Sequence, residues 1–267
     1  MMDPIDPAPS SDFELTTLLM VYNQSNYLRA SFESVVSQEN FNSTKLLISD
    51  DASSDGSYEL ALSLAQDKPN VVVRRNQQNL GVMEHYRHAV TSCDTPYIAV
   101  LEADDIWTDQ TKLSQQLKFF RTVPQVDCVF SGYSVIRDDD PNSVTRPNIF
   151  QNSRSGLVHF QELLCGNPIA SFTNCMYRTA VLRDVLSRDV ISSGYDWLVN
   201  LMIADTGPIG YLGGNFATYR VHTGGTWSRL GDGAKVAKEI QTLKALLPIV
   251  SSTNRQILLA RIESLST

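Results

Sequence analysis

The sequence lacks a long apolar run, and this absence narrows the classes of protein to which the chain can belong. Among its 267 residues, no apolar stretch approaches the roughly 18 residues needed to cross a bilayer. The amino-terminal sequence MMDPIDPAPSSDFE has neither the basic nor the apolar stretch of a signal peptide. We therefore expect a soluble, cytoplasmic protein in which residues 1–13 form a disordered lead-in.

Concentrated basic residues and phosphate-binding loops are also missing. The net charge is -7, and no Lys/Arg-rich stripe is present, which argues against a nucleic-acid partner. The sequence contains no G-x-G-x-x-G and no G-K-[ST], so neither a dinucleotide site nor a P-loop is indicated. The four cysteines show no C-x-x-C spacing and are expected to be free thiols rather than zinc ligands or disulfides.

What the chain does have is a regular alternation of strand and helix patterns in its first half. Apolar runs predict strands at 15–21, 45–49, 70–73 and 97–101, and helical spacing of apolar residues follows each of them. Strands separated by such helices imply right-handed crossovers and a mainly parallel sheet flanked by helices, an α/β layout that suits nucleotide binding.

The second half of the sequence is less regular. A further strand is predicted at 126–130, and the polar, Pro-containing stretch 137–155 is predicted to be a mobile insertion or linker. Residues 156–227 show a mixed pattern, whereas 234–265 are helical by composition with an interruption at Pro248. Apolar residues of this last segment are expected to pack on the rest of the protein, and peripheral association with a membrane surface is the alternative.

The most informative segment is the acidic cluster that follows the fourth predicted strand. Glu102, Asp104 and Asp105 lie within four residues, at the sheet edge where ligands of open α/β proteins bind. Crowded carboxylates repel one another, and a divalent metal bound to a phosphate removes that cost. Mg²⁺ and Mn²⁺ prefer oxygen ligands shared with substrate phosphates, so Asp104 is a candidate ligand for either ion.

A second pair of acids follows the second predicted strand. Asp50 and Asp51 should reach the same sheet edge, and Asp51 could accept hydrogen bonds from a base or a ribose. Helix capping is the alternative for the acids of this DASSDGS loop, and it is favoured for Asp55.

Four segments resemble the motifs of inverting nucleotide-sugar glycosyltransferases of family two, which have the A-type fold. They are VYNQSNYLRASFESVVSQ, LLISDDASSDGS, NQQNLGV and YIAVLEADDIWTDQTKL, in the family order. The Glu-x-Asp-Asp variant followed by Trp is similar to a subgroup associated with bacterial surface polysaccharides. The resemblance implies a Rossmann-like nucleotide-binding half at 14–136, an acceptor and catalytic half at 156–230, and a helical segment at 231–267.

The resemblance also implies roles for individual residues of the nucleotide-binding half. Tyr22 would lie against the base, Asp51 would hydrogen-bond it, and Asp104 would bind the Mn²⁺ or Mg²⁺ that bridges the diphosphate. Glu102 would contact the ribose or a metal-bound water. Further nucleotide contacts are assigned to Asn23, Asn79, Gly81 and Ala103.

Acceptor-side roles follow from two later segments. Asp196, in Gly194-Tyr195-Asp196-Trp197, would be the general base that deprotonates the acceptor hydroxyl, with helix capping as its alternative. His222, in a Y-R-x-H-x-G-G segment, would complete the metal site or be merely structural. Possible sugar or acceptor contacts are Asp105, Trp107, Tyr195 and Trp197, although Trp107 could equally be a core residue.

The resemblance therefore implies metal-dependent, inverting transfer of a sugar from a nucleoside diphosphate, most simply UDP, to a hydroxyl of a glycan or lipid-linked acceptor. A nucleotidyltransferase is the alternative enzyme, since it also needs carboxylates and a metal at strand ends. A non-catalytic nucleotide-sugar-binding scaffold is the third alternative, and the presence of Asp196 argues against it.

Overall fold

The structure is a computed structural model, and its described part covers most of the chain. It comprises residues 13–145, 154–193, 195–225, 227–228 and 230–266. The predicted lead-in, apart from Phe13, and residues 146–153 of the predicted insertion lie outside the described residues.

The described residues form strands and helices that alternate along the first half of the chain, as predicted. The strands are β1 (Leu15–Val21), β2 (Lys45–Asp50), β3 (Val71–Arg75), β4 (Tyr97–Glu102), β5 (Ile106–Trp107), β6 (Cys128–Arg137), β7 (Asp140–Thr145), β8 (Gly156–Val158), β9 (Cys175–Arg178) and β10 (Ile209–Val221). The helices are α1 (Leu28–Val36), α2 (Ser57–Ala65), α3 (Val82–Thr91), α4 (Lys112–Thr122), α5 (Phe160–Leu163), α6 (Thr179–Ser187), α7 (Asp196–Ala204), α8 (Asp232–Leu246) and α9 (Ser252–Ser266).

One sheet joins all of these strands. Its order is β3-β2-β1-β4-β9-β6-β10-β5, with β7 beside β6 and β8 beside β10. The first four strands pair in parallel, which confirms the mainly parallel sheet predicted for the first half of the chain. Strand β9 lies antiparallel to both β4 and β6, so the second half of the sheet is mixed. The A-type α/β fold expected from the resemblance is present.

The stretch 137–155, predicted to be a mobile insertion or linker, contains a strand. Strand β6 continues to Arg137, and β7 then pairs with it in an antiparallel hairpin. Val144 and Thr145 of β7 are exposed, so this strand needs no alternation of apolar and polar residues. Because the stretch is polar, its sequence does not show the strand, which is stabilised by backbone pairing.

Apolar side chains fill the space on both faces of the sheet. The carboxyl-terminal helices belong to this core, because Leu243, Leu246, Leu258 and Ile262 are buried in the same cluster as α7. This arrangement confirms the predicted packing on the rest of the protein. Within the described part of the chain, no helix is both long and apolar enough to cross a bilayer.

The cysteines are free thiols, as expected. Three of them are buried and Cys165 is exposed.

Candidate functional site

The loops that follow β1 and β2 are tied together by hydrogen bonds. The parallel pairing of these strands places both loops at one sheet edge. The amide of Asn23 donates to Ser53 Oγ at 2.9 Å, and its side-chain oxygen accepts from the amide of Ser54 at 2.8 Å. Asn23 thus fixes the loop geometry, while the neighbouring Tyr22, which is 47% exposed, presents an accessible ring.

The carboxylate of Asp51 is fully engaged within the protein. It accepts from the side chains of Asn76 and Asn79 at 2.7 and 3.0 Å, and from the amides of Leu80 and Gly81 at 3.0 and 3.1 Å. A carboxylate offers about four acceptor positions, so these four bonds saturate it. Asp51 is also only 2% exposed. In the structure, Asp51 positions the loop containing Asn79 and Gly81, and its contact with a base stays a prediction.

Asp50 is the acid on this side of the site that retains an unused acceptor. One of its oxygens accepts from the amide of Ser53 at 3.0 Å and lies 3.4 Å from Arg75 Nε. The other oxygen is buried without a hydrogen-bond partner among the described residues. Such an atom is costly to leave unsatisfied. The Asp50 side chain is 0% exposed, so a ligand does not reach this oxygen in the structure. Ala103 is buried, and its amide donates to the carbonyl of Met20 while its own carbonyl accepts from Ser31.

Asp104 and His222 meet directly, although they are far apart in the sequence. Asp104 Oδ2 lies 3.0 Å from His222 Nε2 and 3.4 Å from Gln24 Nε2. The bond to Asp104 raises the pKa of His222. Within the described residues, no group of three His, Cys, Asp or Glu side chains is placed to bind one metal ion. A carboxylate and an imidazole fit a Mn²⁺ or Mg²⁺ ion that takes its remaining ligands from phosphate and water.

Glu102 and Asp105 differ in their access to ligands. Glu102 faces the cavity described below and accepts from Tyr86 at 3.1 Å and Ser171 at 2.7 Å. Burial, reinforced by the charge of Asp104, raises the pKa of Glu102 to about 7. Asp105 is buried, and it accepts from Thr173 Oγ1 at 2.6 Å and from the Arg220 amide at 2.9 Å. It therefore links neighbouring segments of the sheet and is not placed to contact a sugar.

Trp107 is a core residue. It is 4% exposed, and its indole nitrogen donates to the carbonyl of Thr173 at 3.0 Å. The ammonium group of Lys112 lies 4.4 Å from the centre of its ring. These contacts correct the sugar-contacting role offered for Trp107 and leave its alternative, core packing.

Asp196 begins helix α7 and lines the cavity. The side chain of Asn167 donates to its carboxylate at 2.6 Å. Burial raises the pKa of Asp196 to about 6, and the bond from Asn167 limits that rise. A carboxylate with such a pKa is largely ionised at neutral pH and still basic enough to accept a proton from a hydroxyl during its attack. Tyr195 and Trp197 flank it on the cavity wall, and Trp197 is held by a bond to the carbonyl of Leu163 at 2.9 Å.

A cavity of about 410 Å³ brings the acidic residues of the two halves together. Its lining includes Glu102, Asp104, Tyr195, Asp196 and Trp197 of the predicted residues. Tyr22, Asn23, Asp51, Asn79, Gly81 and His222 are not part of this lining and lie on the loops described above. The sequence reasoning missed several lining residues, among them Asn167, Ser171, Arg220, Trp227 and Glu239. Of these, Arg220 and Trp227 had a signal, because both stand in the segment 219–228 that contains His222.

Comparison with known proteins places this geometry in a family. The model of Glycosyl transferase family 2 matches residues 16–186. An uncharacterized protein of Mycobacterium tuberculosis is 28% identical over 209 residues, which cover 77% of this chain and 58% of the relative. The minor teichoic acid biosynthesis protein GgaB of Bacillus subtilis is 29% identical over 112 residues, 42% of this chain and 12% of that protein. The chain thus spans little more than half the length of the mycobacterial relative.

Solved structures show the same fold. TarS of S. aureus in complex with UDP-GlcNAc superposes with a TM-score of 0.72 at 16% identity, covering 94% of this chain and 73% of TarS. The mannosyltransferase PcManGT from Pyrobaculum calidifontis, in complex with GDP-Man and Mn²⁺, superposes with a TM-score of 0.66 at 16% identity. The match covers 97% of this chain and 72% of PcManGT. Because the family model matches most of the chain, the protein belongs to Glycosyl transferase family 2.

Proposed function

We propose that the protein transfers a sugar, with inversion at the anomeric carbon, from a nucleoside-diphosphate sugar to a hydroxyl of a glycan or lipid-linked acceptor in cell-surface polysaccharide synthesis. The observation that carries the proposal is the placement of Asp196 and Asp104 on one cavity. A base for the acceptor and a ligand for the leaving group thereby face the same space. The nucleotidyltransferase alternative loses its support, since the family is one of glycosyltransferases.

The transfer step assigns each group a task. The carboxylate of Asp196 takes the proton of the acceptor hydroxyl while that oxygen forms a bond to the anomeric carbon. The bond between the anomeric carbon and the phosphate oxygen breaks, and the nucleoside diphosphate leaves with the bonding electrons. Asp104 and His222 would hold a divalent ion, which supplies charge compensation for the leaving diphosphate.

UDP is the proposed nucleotide and Mn²⁺ or Mg²⁺ the proposed ion. TarS binds UDP-GlcNAc and PcManGT binds GDP-Man with Mn²⁺, so similar folds accept either base. The exposed ring of Tyr22 supports a base-binding position there, because the amide of Asp51 donates to the carbonyl of the preceding Val21 and so places the two loops side by side. Teichoic acid biosynthesis, named for GgaB, supports an acceptor of the cell surface.

The decisive experiment separates binding from transfer. Melting temperatures are measured with UDP-, GDP- and dTDP-glucose in the presence of Mn²⁺, and release of the nucleoside diphosphate is then followed. A donor at about 100 times its Kd stabilises the native state by about 2.7 kcal/mol. We expect Asp104→Ala to lose the Mn²⁺-dependent shift and Asp196→Asn to keep it but lose transfer. Asp184→Asn, on the exposed face of α6, is the matched control.

Two results would contradict the proposal. Full transfer activity of Asp196→Asn would remove the assigned base. Donor binding without hydrolysis or transfer in the wild-type protein, with any acceptor, would favour the scaffold alternative.

A further inference from the structure

The cavity has more negative than positive side chains on its walls. Its carboxylates are Glu102, Asp104, Asp196 and Glu239, and its guanidinium is Arg220. Arg220 is already paired with Asp138 at 3.1 Å. A divalent ion at Asp104 would offset the charge of the donor diphosphate. On the acceptor side, the ammonium group of Lys238 lies 4.9 Å from the ring centre of Tyr195, and the lining there holds two carboxylates, Asp196 and Glu239. This side of the cavity therefore keeps an excess of negative charge, which is unfavourable for a phosphate or another anion.

Helix α8 supplies part of this wall, although it lies outside the residues matched by the family model. Glu239 and Thr242 of α8 line the cavity, and their spacing of three residues places them on the same helix face. The helix is fixed beside the proposed base, because the ammonium group of Lys238 lies 4.9 Å from the ring centre of Tyr195. Leu243 and Leu246 follow on the same face, at the carboxyl-terminal end of α8, and are buried in the core.

Aromatic side chains complete the cavity next to α8. Tyr133, Tyr195, Tyr219 and Trp227 are among the lining residues, and Trp227 is partly exposed. Aromatic faces carry partial negative charge and pack against the C–H groups of a sugar ring, while carboxylates accept hydrogen bonds from its hydroxyls. A cavity of about 410 Å³ is in the size range of small-molecule sites.

We propose that α8 completes the acceptor subsite for an uncharged sugar, in which Glu239 accepts hydrogen bonds from the sugar hydroxyls and Thr242 contacts the same ring. This inference rests on the proposed function and narrows it, because it selects a neutral glycan end over a phosphorylated acceptor. Glu239 is then a determinant of acceptor specificity outside the segment that defines the family.

The test measures transfer from the best donor, with Mn²⁺, to neutral and anionic acceptors. The neutral probes are glucose and the p-nitrophenyl β-glycosides of glucose and galactose, and the anionic probe is glucose 6-phosphate. Glu239→Gln should raise the acceptor KM about tenfold to a hundredfold, since a hydrogen bond from a sugar hydroxyl to a charged group is weakened. Its donor-induced melting shift reports that the variant is folded. Glu263→Gln, exposed on α9, is the matched control and should keep the wild-type KM.

Charge reversal provides the second variant. Glu239→Lys should raise the rate with glucose 6-phosphate relative to glucose, because it replaces a repelling charge with an attracting one and makes the cavity less negative. An unchanged acceptor KM in Glu239→Gln, or a wild-type preference for glucose 6-phosphate, would overturn the inference. Donor hydrolysis without transfer to any neutral sugar would also overturn it while leaving the donor site intact. Absence of both hydrolysis and transfer would count against the proposed function, and the inference would fall with it.

Discussion

The hydrogen bond from Asn167 to Asp196 allows a quantitative prediction about the pH dependence of transfer. The bond is 2.6 Å long and joins an amide donor to a carboxylate that is buried at the start of α7. Asn167→Ala removes a donor that stabilises the ionised form. A hydrogen bond to a charged group contributes about 1.5–3 kcal/mol, and 1.36 kcal/mol corresponds to one pKa unit. The pKa of Asp196 should therefore rise by about 1 to 2 units.

The direction of the effect on rate follows from the role of the carboxylate. A general base acts when it is deprotonated, so kcat/KM rises with pH through the pKa of Asp196, which is about 6. In Asn167→Ala the midpoint of this rise should move to about pH 7–8, while the plateau at high pH falls less than the rate at pH 6.

The assay is the pH profile of kcat/KM for nucleoside diphosphate release in the presence of an acceptor. Asn254→Ala is the matched control, because Asn254 also donates to a carboxylate, that of Asp205, but does not line the cavity. Its profile should match that of the wild-type protein. A midpoint in Asn167→Ala that stays at its wild-type value, or moves to lower pH, would refute the reasoning.

Three further predictions concern stability. The raised pKa of Asp196 means that the native state binds more protons than the unfolded state between about pH 4 and 6, so the unfolding free energy falls as the pH rises through that window. Asp196→Asn should therefore raise the unfolding free energy at pH 7 by about 1–3 kcal/mol, measured by urea titration. Trp107→Phe should lower the unfolding free energy by about 1–2 kcal/mol through loss of its bond to Thr173, and a changed acceptor KM would contradict its core role. Asp51→Asn should lower the unfolding free energy by about 2–4 kcal/mol and weaken binding of the nucleotide sugar, because the new amide group faces the N–H groups of Asn79 and Gly81. Wild-type stability of this variant would show that the hydrogen-bond network is not formed.

The long buried strands of the first half were predictable because each is an apolar run of a length that only a strand fits. Strand β1 is buried at every position, and its predicted bounds agree with the structure. The insertion of β9 between β4 and β6 was not predictable, since pairing of segments distant in sequence leaves no local pattern. Strands β5 and β7 were not predicted, because β5 is short, β7 is polar, and both are recognised only by their backbone pairing.

The same limit applies to the site. The acidic cluster and Asp196 were singled out because several motifs occurred in order, and their roles stay predictions. Asn167 and Glu239, in contrast, are single polar residues without a motif around them. The internal contacts of Asp51 were not predictable either. Neighbouring acids at a strand end look alike in sequence, and only the four donors around Asp51 reveal which carboxylate is already in use.

The burial of Asp105 has a consequence for local unfolding of the sheet. Its carboxylate accepts from Thr173, next to β9, and from the amide of Arg220 in β10, while its own amide is bonded to Glu102 at the end of β4. Separating the two halves of the sheet at this edge would break the bonds from Thr173 and Arg220 together, and water would have to replace both donors. In hydrogen exchange, the Arg220 amide should therefore be released together with β4 and β9, as one cooperative unit.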